Sequence, residues 1–140
     1  MFTLDPQLAA DTFDLGSLSL CRVLLMNDER YPWLILVPQL VTEQGDALRE
    51  LHQVTEPHDT TLWQEINRVS KALEAVAQPK KLNVAALGNM VPQLHIHVIA
   101  RQTSDSAWPG PVWGIGTAVA YETARREAFS RQLKAKLNLY

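Results

Sequence analysis

The chain has 140 residues, enough for one domain whose core needs no disulfide or structural metal. Its composition, 46% hydrophobic and 20% charged, is typical of a folded protein and excludes intrinsic disorder. The formal net charge of −2 excludes a broad electrostatic attraction to a nucleic acid polymer or an anionic membrane. We therefore expect a single domain over residues 1–140, with any anionic ligand held by a local site.

The single cysteine and the N-terminus both favour a cytoplasmic protein. Cys21 has no partner for an internal disulfide and lies in an apolar stretch, so we expect a buried, inert thiol in a reducing compartment. The segment from Met1 to Pro6 lacks the basic start and apolar core of a signal peptide. No apolar run approaches the roughly 18 residues that span a bilayer.

The first predicted elements form a β-hairpin. Residues 17–20 alternate polar and apolar side chains, and residues 23–26 are continuously apolar, which favours a strand that enters the core. A second strand is predicted at residues 33–37, between two prolines. Asn27 and Asp28 favour a turn between the strands because their side chains can hydrogen-bond to nearby backbone. The two strands are expected to be antiparallel.

Helices are predicted next. A short helix is expected over residues 43–54, ended by Pro57. A longer helix follows that proline and stops at Pro79, because apolar residues recur at spacings of three and four and so share one face. The residues of this face are Leu62, Ile66, Val69, Leu73 and Val76.

The last third of the chain predicts two more strands and a closing helix. The strands are expected at residues 82–87 and 94–100, with a glycine-containing turn between them. Residues 104–116 are too rich in proline and glycine for a regular element and too aromatic for a fully solvated loop. A helix is predicted over residues 117–137, with its basic residues mostly on the solvated face.

The second of these strands displays a row of polar side chains. Side chains alternate between the two faces of a strand, so Gln93, His95 and His97 are expected on one surface. We call these three residues the polar row. The residues expected in the core on the other face are Leu94, Ile96 and Val98. Imidazoles two residues apart have Cα atoms about 6.5 to 7 Å apart, so both could engage one anionic group or one metal ion.

The segment from Leu87 to Arg101 resembles the signature of the histidine triad (HIT) family, in which histidine alternates with hydrophobic residues on a strand after a glycine-containing turn. The similarity extends to residues 20–23, 31–38 and 108–109 and so covers most of the chain. It implies an α+β fold, with an antiparallel sheet of about five strands and flanking helices, commonly paired as a homodimer. It also implies a nucleotide hydrolase or transferase that acts at the α-phosphate of a nucleotidyl substrate.

The resemblance assigns roles to the polar row. The family triad reads His-φ-His-φ-His, and in this chain Gln93 stands at the first position. The middle position, the family's nucleophile, is His95, whose neutral imidazole can attack phosphorus to give a phosphoramidate. His97, at the third position, is expected to hydrogen-bond the phosphate oxygens or the leaving group. The Gln93 amide can bind or orient a substrate but cannot carry a proton.

Three further residues are candidates for substrate binding. Asn89 loosely matches the family's polar residue before the signature strand, and the alternative is a turn former beside Gly88. Arg101 could neutralise phosphate, and a surface ion pair is the alternative. Trp113 could stack on a base, while packing against the sheet or a partner subunit is the alternative for both Trp113 and Trp108.

Three classes of function remain in view. The first is a hydrolase of a dinucleoside polyphosphate or nucleoside phosphoramidate that works through a nucleotidyl-His95 intermediate. The second is a nucleotide-binding module with little or no turnover, suggested by Gln93. The third, a metal site built on His95 and His97, lacks the third and fourth ligands such sites usually need. The sequence indicates no required cofactor, although a divalent cation bound with a polyphosphate is compatible with hydrolysis.

Overall fold

The computed structural model describes residues 1–139, which form a five-stranded sheet flanked by helices. The strands are β1 (Thr12–Ser17), β2 (Cys21–Met26), β3 (Trp33–Pro38), β4 (Lys81–Ala85) and β5 (Ile96–Arg101). The helices are α1 (Pro6–Asp11), α2 (His58–Ala77) and α3 (Thr123–Leu137), with a 3-10 turn at Leu51–Gln53. All paired strands are antiparallel and the spatial order is β1-β2-β3-β5-β4. The predicted α+β class is confirmed.

The two faces of the sheet are covered differently. Helices α2 and α3 pack on one face, where Leu94, Ile96 and Val98 join the larger core cluster, as the alternation predicts. A second cluster covers the opposite face. It includes Leu8 of α1 and Val112 of the C-terminal loop, which is residues 102–122 between β5 and α3. Because odd-numbered residues of β5 point to this second face, His97 lies against loop residues Leu87 and Trp113 rather than against the two long helices.

Local periodicity predicted α2 and the β2–β3 hairpin correctly. The apolar face of α2 is buried in the larger cluster, with Val76 partly buried at its edge. Strands β2 and β3 pair antiparallel, with Val23 opposite Leu36. Cys21 is fully buried, and burial, together with the nearby Glu65 carboxylate, raises the pKa of its thiol far above the usual range. The predicted inert thiol is consistent with this environment.

The helix predicted over residues 43–54 is wrong. Val41 and Ala47 instead form an isolated antiparallel bridge, and only a 3-10 turn follows. Gly45 has a φ of +87°, which no right-handed helix tolerates. The Thr42 hydroxyl accepts a hydrogen bond from the amide of Asp46 at 3.1 Å, a local alternative to helical bonding.

Several predicted element boundaries also change, and among them β4 ends at Ala85 rather than at residue 87 and β5 begins at Ile96 rather than at residue 94. Residues 18–20 form the turn between β1 and β2, and strand β1 was not predicted from the sequence. Helix α3 begins at Thr123 rather than at residue 117, because the preceding amides of Val119 and Tyr121 donate to the side chains of Asp28 and Asn27 at 3.3 and 2.9 Å. These bonds to the β2–β3 loop hold the segment in an extended form. Over the described 139 residues, no helix is both long and apolar enough to cross a membrane.

Candidate active site

The two histidines lie side by side where the loop before β5 meets the start of that strand. His95 immediately precedes the strand and His97 lies on it. Both side chains are buried, with 5% and 3% of their surface exposed. Their ring centroids are 4.8 Å apart and the ring planes meet at 71°. The predicted juxtaposition of two imidazoles on one face is confirmed.

A backbone hydrogen bond determines the tautomer of His95. Its Nδ1 lies 2.6 Å from the carbonyl oxygen of Gln93, and because a carbonyl can only accept, Nδ1 carries the proton. The Nε2 atom of the neutral ring is then unprotonated, with its lone pair directed away from this bond. Within residues 1–139, Nε2 makes no hydrogen bond. Gly88 packs closely against the same ring, since a Cβ added at Gly88 would lie 3.2 Å from the Cε1 atom of His95.

His97 is held at both of its ring nitrogens. The indole Nε1–H of Trp33 donates to its Nδ1 at 3.0 Å. An acceptor at Nδ1 requires the proton to be on Nε2, which donates to the carbonyl oxygen of Leu87 at 3.0 Å. Burial lowers the pKa of His97 to about 4, and the nearby His95 acts in the same direction. His97 is therefore neutral near pH 7 and committed to protein partners.

Gln93 binds the N-terminal segment, which we define as residues 1–5. Its side-chain Nε2 donates to the carbonyl oxygen of Thr3 at 2.9 Å, and its Oε1 accepts from the amide of Asp5 at 2.8 Å. The amide side chain presents a donor and an acceptor side by side, as an extended backbone does. The buried side-chain amide of Gln93 therefore holds the N-terminal segment beside the polar row.

Trp113 lies beside His97, at the border of a cavity. Its ring centroid is 5.0 Å from that of His97 and 6.0 Å from that of Trp33, with edge-on geometry in both pairs. The cavity has a volume of about 370 Å³, within the range of small-molecule pockets. Its lining includes Met26, Asn27, Asp28, Arg30, Trp33 and Trp113. Arg30 is paired with Asp28 at 2.8 Å.

The structure does not bring Arg101 to the two histidines. Arg101 follows His95 by six residues, which is about 20 Å along a strand. Its guanidinium is 1% exposed and pairs with Asp105 at 2.7 Å and with the Asn83 side chain at 2.8 Å. Asn89 is exposed on the loop that also holds Gly88. Among residues 1–139, no group of three or more His, Cys, Asp or Glu side chains could hold a metal ion.

Sequence reasoning missed Trp33, the residue that contacts His97 most specifically. Trp33 was placed on a strand, but nothing in its own segment indicates that β3 lies next to β5. In the structure Ile35 is opposite His97 and Trp33 is opposite Ile99, so the indole reaches the imidazole diagonally across two strands. The contacts of Gln93 with Thr3 and Asp5 were missed for the same reason.

Comparison with known proteins identifies the family. The model of the HIT domain matches residues 7–104, which is more than half of the chain. The chain belongs to the HIT domain family. No functionally curated protein matches this HIT-family chain in sequence.

Solved structures agree with this assignment. A histidine triad protein from Bradyrhizobium japonicum is 43% identical, with 96% of this chain and 97% of that chain covered and a TM-score of 0.91. A histidine triad protein from Marinobacter aquaeolei is also 43% identical, with 99% and 97% covered and a TM-score of 0.91. A hypothetical histidine triad nucleotide-binding protein from Sulfolobus tokodaii is 12% identical, with 91% and 84% covered and a TM-score of 0.65. This last likeness is one of fold.

Proposed function

We propose that this HIT-family protein is a nucleotide hydrolase that acts at the α-phosphate of a dinucleoside polyphosphate or a nucleoside phosphoramidate. The hydrogen bond from His95 Nδ1–H to the Gln93 carbonyl carries the proposal. It selects the one neutral tautomer whose Nε2 lone pair is available for attack, and it fixes the direction of that lone pair. No general base is then needed to activate the nucleophile.

The reaction proceeds in two displacements. His95 Nε2 attacks the α-phosphorus, a P–N bond forms, and the bond from phosphorus to the leaving group breaks with its electron pair going to the leaving group. A polyphosphate leaves as the anion, and the nitrogen of a phosphoramidate, protonated by solvent before the attack, leaves as ammonia. As the P–N bond forms, positive charge develops on the ring and is shared with Nδ1. The hydrogen bond from Nδ1–H to the Gln93 carbonyl becomes stronger as a result. Water then attacks the phosphorus and gives up a proton to solvent, the P–N bond breaks, and a nucleoside monophosphate leaves as His95 Nε2 regains its lone pair.

Other predicted site residues have different parts in this proposal. Trp113 and the cavity beside it are proposed to receive the nucleoside, with the indole stacking on the base. Asn89, exposed beside Gly88, is proposed to contact the phosphate. Gln93 contributes its backbone carbonyl to His95, and its side chain would reach a substrate only if the N-terminal segment moved. Arg101 would need to leave its ion pair with Asp105 to bind phosphate, so we assign it a structural role.

The partners of the proposed reaction are small. The substrate is a nucleotide rather than a nucleic acid polymer, and a divalent cation could accompany a polyphosphate without a dedicated protein site. A homodimer is proposed from the family resemblance alone. Size-exclusion chromatography with light scattering would test it, since a monomeric mass would exclude the dimer.

The test is hydrolysis of adenosine 5′-phosphoramidate and a diadenosine polyphosphate. We expect the His95→Ala variant to be at least about a thousand-fold slower than the wild type, because the nucleophile is lost. The exposed His52 provides a matched control, and His52→Ala should retain full activity. A substrate labelled at the α-phosphorus should leave label on the wild-type protein and none on His95→Ala. Wild-type turnover no faster than that of His95→Ala would refute catalysis.

A nucleotide-binding module with little turnover is the second candidate. The observation in its favour is that Gln93 and His97 both use their side chains to bind other parts of the protein. Titration calorimetry with AMP and GMP separates the two proposals. Saturable binding without turnover would support the module, and the absence of binding and turnover would exclude both.

A further inference from the structure

Two tryptophans pack against His97, and only one of them forms a hydrogen bond with it. The Trp33 ring lies 5.6 Å from the imidazole and the Trp113 ring lies 5.0 Å away, so both supply similar aromatic contact. Trp33 alone donates its N–H to Nδ1. We propose that Trp33 is a positioning residue that acts through His97 to hold the Gly88 loop, residues 86–92, against the nucleophile His95. This inference rests on the proposed function.

The first step is the choice of tautomer. An indole nitrogen can only donate a hydrogen bond, so Nδ1 of His97 must be unprotonated when Trp33 faces it. The proton is then on Nε2, on the side of the ring that faces the Leu87 carbonyl. If His97 were protonated, its Nδ1–H would face the N–H of Trp33, and the two donors would repel each other. Trp33 thereby keeps His97 neutral and directs its single N–H at the loop.

The second step is the anchoring of the Gly88 loop. The loop has little apolar burial to hold it, because Leu87 is 39% exposed and Met90 is 94% exposed. Only Val91 packs partly against the second core cluster. The bond from His97 to the Leu87 carbonyl attaches the loop directly to strand β5, one residue before Gly88.

The third step is the contact with His95. Gly88 comes so close to the imidazole that a Cβ at this position would lie 3.2 Å from Cε1, the carbon between the two ring nitrogens. The loop therefore forms one wall beside the attacking nitrogen. His97 therefore supports the nucleophile by holding this loop in place. A direct hydrogen bond from His97 to phosphate would require His97 to release Leu87 or Trp33.

The test removes the indole donor and reads the tautomer of His97. In wild-type protein labelled with ¹⁵N-histidine, we expect His97 to be the Nε2-protonated tautomer, with Nδ1 resonating as an unprotonated acceptor. In Trp33→Phe, Nε2 still donates to the Leu87 carbonyl but Nδ1 no longer faces an N–H, so we expect Nδ1 to take up a second proton at higher pH than in the wild type, with the two nitrogen shifts moving towards each other as the pH falls. Trp113→Phe is the matched control, because it removes an aromatic contact of similar distance and should leave these shifts unchanged.

A second readout follows the loop. Because His97 is held less firmly in Trp33→Phe, the ¹⁵N order parameters of the Leu87 and Gly88 amides should fall below those of the wild type. Should Trp33→Phe fail to fold, benzothienylalanine at position 33 replaces the N–H with sulfur and keeps the ring size. Unchanged His97 shifts or unchanged loop order parameters in the folded variant overturn the proposal.

Activity separates this proposal from the function on which it rests. With an active wild type, benzothienylalanine at position 33 keeps the ring that lines the cavity and removes only the N–H, so it should lower kcat about tenfold or more and leave KM nearly unchanged. An unchanged kcat would show that the Trp33–His97 bond positions nothing for the reaction. With an inactive wild type the proposed hydrolase fails, while the histidine shifts and the loop order parameters still decide whether Trp33 holds His97 and the loop.

Discussion

His95 and His97 are two positions apart in the chain and are held in different ways. His95 donates one bond to a backbone carbonyl, and its other nitrogen has no hydrogen-bond partner among residues 1–139, whereas His97 has a partner at each nitrogen. The carbonyl partner of His95 tolerates a positive ring, because an N–H donor is retained on protonation. The indole partner of His97 does not. The two neighbouring imidazoles are thus suited to separate tasks, one to chemistry and one to support.

Gly88→Ala should disturb His95 with little change elsewhere. The new Cβ would lie 2.7 Å from the Val91 carbonyl oxygen, which is part of the backbone and cannot move alone. We expect kcat/KM to fall about a hundredfold as the loop and the His95 ring shift apart. Gly110→Ala is the control, because its nearest contact, the Ala107 carbonyl oxygen, would be an ordinary 3.4 Å away. Equal activity of Gly88→Ala and wild type would contradict the packing of Gly88 against the ring.

The free energy of unfolding should fall at mildly acidic pH because His97 binds a proton more readily in the unfolded chain than in the folded protein. Burial lowers its pKa from 6.5 to about 4, so the unfolded chain takes up the proton first as pH falls. The contribution to the free energy of unfolding is therefore complete above pH 6.5 and is lost as pH falls towards 4. The loss is about 3 kcal/mol. Urea unfolding at pH 7, 5.5 and 4.5 measures it, and a His97→Gln variant should show a much flatter dependence over this interval.

At the scale of elements, helix α2 is joined to the sheet by a buried carboxylate as well as by apolar contact. Glu65, 5% exposed, accepts hydrogen bonds from the amides of Leu20 and Cys21 at 2.9 and 2.8 Å. These amides belong to the turn between β1 and β2 and to the start of β2. Helical periodicity placed Leu62 and Ile66 in the core, but it gave no reason for a carboxylate between them.

Glu65→Gln should cost about 1 to 3 kcal/mol of unfolding free energy. The substituted amide keeps one acceptor oxygen and turns an NH₂ group towards a backbone N–H, which leaves one buried donor without a partner. Glu74→Gln, on an exposed position of the same helix, is the control and should change stability by no more than about 0.5 kcal/mol. Chemical denaturation of both variants measures the difference, and equal stabilities would show that the two Glu65 bonds contribute nothing.

At the scale of the whole molecule, the N-terminus and the loop between β5 and α3 cover the same sheet face. The N-terminal segment is bound by Gln93, and Phe2 and Leu4 pack against the second cluster. Trp113 reaches the same face from the C-terminal loop. The N-terminal segment, the Gly88 loop and the loop that carries Trp113 therefore border the polar row.

Gln93→His should release the N-terminal segment. An imidazole has its donor and acceptor on opposite sides of the ring, so it cannot bond to Thr3 and Asp5 together. We expect the Asp5 amide to exchange about tenfold faster, which corresponds to the loss of a hydrogen bond of about 1.4 kcal/mol. Gln132→His, at an exposed position of α3, should leave this exchange unchanged. Undiminished protection of Asp5 in Gln93→His would mean that other contacts hold the segment.

The sequence alone determined what depends on local spacing. The alternation from Gln93 to Val98 separated the polar row from the core residues, the three-and-four spacing gave the buried face of α2, and the signature segment indicated the family. These features are local because side-chain direction repeats every two residues in a strand and every 3.6 in a helix. The helix expected over residues 43–54 failed where Gly45 and Thr42 offered the backbone another local structure.

Only the tertiary structure decided what each polar side chain binds. The Trp33–His97 bond joins residues 64 positions apart, and the bonds of Gln93 to Thr3 and Asp5 join residues 90 and 88 positions apart. Periodicity places a side chain on a face but carries no information on which distant strand or terminus will cover that face. The packing of β3 beside β5 and the return of the N-terminus supplied those partners, and with them the separate roles of His95, His97 and Gln93.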